Sequence, residues 1–138
     1  MPGVFNKPLW DLGRRIEDTT LPIINRYFNA DFKRDENIFD ILDFHDVNKK
    51  IICEIKGRTT NSYQYRETII PYNKVVEGHK RIEQGYRVFF IFVFKDKTME
   101  IELKKNTYFE VKLTGTHNVE HALIPVKDLL EVPALHQD

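Results

Sequence analysis

The chain has 138 residues, 41% hydrophobic and 30% charged, with 21 Lys+Arg balancing 21 Asp+Glu to a net charge of zero. That length fills one core and not comfortably two, the composition is that of a soluble globular domain, and no apolar run reaches the roughly 18 residues of a membrane helix, so no membrane partner is expected. The single cysteine, Cys53, excludes an internal disulfide and cannot make a zinc site alone, and a start carrying Trp10, Asp11, Arg14, Arg15 and Glu17 lacks a signal-peptide pattern, so intracellular residence, cytoplasmic or nuclear, is the expectation.

Residues 8–29 read as an amphipathic helix, with Leu9, Leu12, Ile16, Leu21, Ile24 and Phe28 at helical spacing and Pro22 expected to kink or split it. Residues 37–45 and 50–56 are strand candidates, joined by a short polar turn into an antiparallel hairpin. Residues 59–68 are polar, without periodicity, and read as a loop. Pro71 suits the first turn of a helix running to about Gln84, with Val75, Val76, His79 and Ile82 inward and Gly85 as its stop. Residues 86–94, the most apolar segment, predict a central strand buried on both faces, returning parallel to the second hairpin strand. Residues 98–103 and 107–113 are weaker strands, and 126–131 a short terminal helix or strand. The order α-β-β-(β)-α-β predicts an α/β domain spanning 1–138, with a core over about 10–95 and a mixed central sheet flanked by helices.

Strand alternation sets Glu54 and Lys56 on one face, with Cys53 and Ile55 on the other. An acid and a base at i and i+2 break an apolar pattern twice on the same face, as functional sites do. A turn centred near Val47 puts Asp40 opposite Glu54, the Cβ atoms about 5 Å apart. A turn centred on Asn48-Lys49 instead puts Asp43 there; we favour the first register. Two carboxylates this close repel unless a cation lies between them, and an oxygen-liking Mg²⁺ or Mn²⁺ fits. Such a site suits phosphodiester hydrolysis, with Lys56 holding the attacking water and stabilising charge on phosphorus.

The segment Phe39-Asp40-Ile41-Leu42 … Ile52-Cys53-Glu54-Ile55-Lys56-Gly57-Arg58 resembles the core of the PD-(D/E)XK nuclease superfamily, which includes restriction endonucleases and Holliday junction resolvases. The resemblance covers about residues 10–95 and implies a restriction endonuclease-like αβββαβ core. It also implies that Asp40 and Glu54 ligate metal, that the Ile55 carbonyl joins them, that Lys56 is the catalytic lysine, and that Glu17 on the first helix supports the site. Phe39 stands in place of the motif's proline.

Residues 49–87 hold nine Lys/Arg against four Glu, +5, leaving −5 elsewhere, which suggests a phosphate-facing surface or a charge fluctuation on a solvated face. Arg58, Thr59 and Thr60 are candidates for phosphate contact, Tyr63, Tyr65 and Arg66 for stacking or clasping a strand, and Lys74 for reaching the site from the second helix. Against these, loop polarity or packing over a sheet edge accounts for the same residues. His79 reads as a core histidine, and Cys53 as a buried thiol; His45, His117, His121 and His136 lack metal spacing. The sequence therefore predicts a Mg²⁺- or Mn²⁺-dependent deoxyribonuclease, an endonuclease in preference to an exonuclease, with DNA as partner and a homodimer plausible. Its rivals are an inert nucleic-acid-binding or assembly module on the same fold and an RNA-directed nuclease.

Overall fold

The computed structural model describes residues 6–35, 41–115 and 118–133. Helix α1 spans Lys7–Phe28, opened by the Asn6 side chain accepting from the Leu9 N–H and closed by Asn29 in the left-handed region at φ 50°. Pro22 lies inside it and does not split it. The proline removes one N–H from an exposed stretch, while Ile24, Leu21 and Phe28 around it pack on the sheet and hold the helix together.

Strands β1 (Lys33–Arg34), β2 (Phe44–Asp46), β3 (Ile51–Gly57), β5 (Arg87–Val93), β6 (Thr98–Leu103) and β9 (Leu130–Val132) form a mixed six-stranded sheet in the order β1-β2-β3-β5-β6-β9. β3 and β5 pair in parallel, Glu54 beside Phe90, as the apolar run predicted, and the other neighbours are antiparallel. Helix α2 (Tyr72–Glu83) joins the two parallel strands, its chain leaving at Gly85 with φ +95°. Pro71 immediately precedes the helix and ends β4 (Glu67–Pro71). Of the four residues expected inward on α2, Val75 is buried and Ile82 packs on the core, His79 is half-buried with Nε2 3.2 Å from the Thr107 carbonyl, and Val76 is exposed. Gly78 takes the inward place instead, so close that an added Cβ would lie 2.6 Å from Leu103 Cδ2.

A second sheet, β4-β8-β7, pairs β4 with β8 (Val119–Pro125) and β8 with β7 (Glu110–Thr114), all antiparallel. The expected 59–68 loop therefore ends in a strand. Its inward residues Ile70, Ala122 and Ile124 join Ile52, Val88, Phe90 and Val75 in one core on the α2 face. Ile24 of α1 packs with Phe44, Cys53, Ile55, Phe89 and Ile91 in another core on the opposite face. That contact ends near Ile16, which meets Gly57, so Leu9 and Leu12 stay 62% and 41% exposed rather than inward. Among the described residues, no helix is long and apolar enough to cross a membrane.

Candidate active site

The hairpin turn occupies residues 47–50, and its ladder pairs Phe44 with Cys53, His45 with Ile52 and Asp46 with Ile51. This corrects the Val47-centred register. Asp46 accepts from the Lys49 N–H at 3.1 Å and Lys50 adopts φ 55°, which fixes the longer, Asn48-Lys49-centred turn. Position 43 then comes across from Glu54, and the Asp43 N–H donates to Glu54 Oε2 at 3.3 Å. Asp40, the expected partner, lies outside the described residues. β2 begins at Phe44 and β3 runs on to Gly57, so Asp43 sits beside Glu54 where the strands part, its carboxyl close enough to act on the Glu54 carboxyl.

Glu54 is fully buried on the α2 face, and two ammonium groups approach the same oxygen. Lys74 Nζ is 3.2 Å and Lys56 Nζ 3.6 Å from Oε1, yet Oε1 accepts no hydrogen bond from either. Lys74 donates to the Ile41 carbonyl instead. Burial pushes the Glu54 carboxyl up to about 7; Lys56 and Lys74 pull it down, and the adjacent Asp43 carboxyl pushes it further up. Lys56 keeps a partly open side chain at the mouth, while Lys74 is more enclosed. A buried carboxylate oxygen without a hydrogen bond, with a second carboxyl beside it, is a donor set that suits a small divalent cation. Two carboxyl groups are what these elements bring together, and among the described residues no group of three or more His, Cys, Asp or Glu gathers. Mg²⁺ ordinarily keeps several waters and takes one or two carboxylates, so two are enough.

The other expected residues divide. Ile55 is buried on the α1 face, so only its backbone carbonyl is available to a ligand set. Glu17 does not join Glu54: it pairs with Arg34 Nη2 at 2.8 Å, on the helix that covers the opposite face. Arg58 is held by the fold, donating from Nε to Thr68 Oγ1 at 3.2 Å, from Nη1 to the Gly57 carbonyl and from Nη2 to the Ile69 carbonyl, with its guanidinium over the Phe92 ring. Its burial lowers the guanidinium pKa, and it is spent on joining β3 to β4 rather than offered to phosphate. Thr59, Tyr65 and Arg66 are exposed. Cys53 is buried among apolar side chains, which pushes its thiol well up, as expected of an inert cysteine. No protein family, no curated protein and no solved structure matches this chain.

Proposed function

We propose that the chain is a metal-dependent nuclease domain that hydrolyses DNA phosphodiester bonds, built as a restriction endonuclease-like core of the PD-(D/E)XK kind, with endonucleolytic cutting favoured. The observation that carries this reading is the fork: a buried Glu54, its pKa lifted to about 7, beside Asp43 and within 3.6 Å of Lys56. A buried acid with a raised pKa beside a partly open lysine is an arrangement that catalytic sites use.

Glu54 and Asp43 would hold Mg²⁺ or Mn²⁺, with the Ile55 carbonyl as a third donor. When bound, the ion supplies Lewis-acid polarisation of a phosphoryl oxygen and a water of lowered pKa. Lys56, at the mouth, holds the attacking water by a hydrogen bond and places positive charge against the phosphate as charge builds. Lys74, enclosed and tied to the Ile41 carbonyl, holds α2 against Glu54 and offsets its charge.

The test is Mg²⁺- or Mn²⁺-dependent cleavage of duplex, single-stranded and branched DNA, and of RNA, by wild type, Glu54→Ala and Lys56→Ala. We expect each substitution to lower the rate by about 10²–10³-fold. Cleavage that survives both would sink the assignment. Preferential cutting of RNA would move it to an RNA-directed nuclease. No cutting, together with no Mg²⁺ binding heat that Glu54→Ala removes, would leave an inert binding module.

A further inference from the structure

The segment between β3 and β4 carries two tyrosines that hydrolysis at Glu54 does not use. Tyr63 is 77% and Tyr65 65% exposed, and among the described residues neither ring stacks on another. The backbone beneath them is firmly held. Buried Ser62 donates twice to Asp96, from its N–H to Oδ1 and from Oγ to Oδ2, each at 2.7 Å. The Asn61 N–H donates to Gln64 Oε1 at 2.7 Å, the Lys95 N–H to the Thr60 carbonyl at 3.0 Å, and the Val126 N–H to the Arg66 carbonyl at 2.9 Å. Large apolar rings offered to solvent on a fixed loop give up little conformational freedom when they are covered.

The rings border a concavity of about 770 Å³ that also includes Arg66 and Lys127, with Glu67 the one carboxylate among the described residues that line it. Two ring faces beside two cations match a base joined to a phosphate. A continuous duplex hides its base faces in the stack, so only unpaired bases can meet them. The position fits the candidate site as well: Tyr63 follows Lys56 by seven residues, a reach of at most roughly 25 Å.

We infer that Tyr63 and Tyr65, with Arg66 and Lys127, form a stacking platform for unpaired nucleotides, so that the strand delivered to Glu54 comes from a tail, a gap or a branch rather than from continuous duplex. This deepens the nuclease reading and rests on it for the delivery step alone. The platform reads the base face and accepts unpaired nucleotides from a DNA or an RNA strand.

Fluorescence anisotropy of the full chain in EDTA tests it, with labelled oligothymidylate, oligouridylate and blunt duplex DNA. Strands of about 20 nucleotides exceed the roughly 4–16 that such platforms occupy. We expect the single strands to bind at least tenfold more tightly than the duplex. Tyr63→Leu combined with Tyr65→Leu should weaken single-strand binding by roughly 10–100-fold and leave duplex binding unchanged. Tyr63→Phe with Tyr65→Phe should retain it, because stacking needs the ring and not the hydroxyl. Equal binding of both single strands supports a platform blind to the sugar; preference for one supports the platform and names its source. Duplex bound as tightly as single strand, an unchanged leucine pair, or loss in the phenylalanine pair overturns the inference. Binding in EDTA is read apart from hydrolysis, so single-strand binding followed by no cleavage once Mg²⁺ or Mn²⁺ is supplied in excess would overturn the nuclease reading and leave the platform standing.

Discussion

Burial and two ammonium groups pull the Glu54 carboxyl in opposite directions, and burial wins, leaving it near 7 against an ordinary 4.5. An acid whose pKa is higher folded than unfolded binds more protons in the folded state between those two values. Stability from this group is therefore fully present below about 4.5 and is lost as pH rises through 7, an effect of order 3 kcal/mol. The substitution Glu54→Gln supplies an amide that mimics the protonated side chain at every pH. We accordingly expect the metal-free wild type to lose stability relative to Glu54→Gln between pH 5 and 8, measured by denaturant midpoints in EDTA. A constant difference across that range would show that Glu54 ionises as an exposed carboxylate does. Lys74 favours the ionised form, so Lys74→Met should deepen the wild type's fall over the same interval, whereas a lysine that merely packs would lower stability equally at all pH.

Arg58 shows how one side chain joins two elements. Its donors cross from β3 to the Thr68 hydroxyl and the Ile69 carbonyl of β4, so the main sheet and the small sheet share a polar link beneath the Phe92 ring. Removing it leaves buried acceptors without partners, and we expect Arg58→Ala to cost about 2–3 kcal/mol, read as a lower melting temperature. An unchanged melt with weakened DNA binding would return Arg58 to the phosphate contacts its sequence suggested. Periodicity made the two helices, β3, β5, β6 and the parallel β3–β5 pairing legible, because each carries a recurring apolar pattern at helical or strand spacing. Glu54 and Lys56 were legible because they interrupt one. Their partner was not, because alternation fixes the face and the turn fixes the register. The cue lay in Asp46, whose carboxylate caps the turn through the Lys49 N–H and lengthens it until position 43, not 40, comes opposite Glu54. Of the small sheet only β7 left a trace, in the strand pattern over residues 107–113. β4 is five residues ending in Pro71, and its partner β8 lies some fifty residues away, so no local pattern announces the pair.

Across the whole molecule, six of the nine cations in residues 49–87 already have partners within the fold. Arg58 is bound within the fold, Arg81 and Arg87 face Glu77 and Glu102, Lys49 donates to the Asn29 carbonyl, and Lys56 and Lys74 flank Glu54. Lys50, Arg66 and Lys80 are exposed without an ion pair among the described residues, and Lys127 adds a fourth from outside the segment. Each cation that neutralises a phosphate releases condensed counterions, about 0.7 per contact on single strands, so the salt dependence of binding counts the cations in use. Four contacts predict a log Kd against log salt slope of roughly 3 on oligothymidylate, where all nine cations of the segment would give about 6. The zero net charge makes the distinction sharp, since the acidic remainder adds no attraction of its own. A slope near 6 would mean that the internal ion pairs open when DNA binds. A slope near 3, halved by Arg66→Ala with Lys127→Ala, would place the strand along the exposed cations and the tyrosine loop while the pairs around Arg58, Arg81 and Arg87 stay closed.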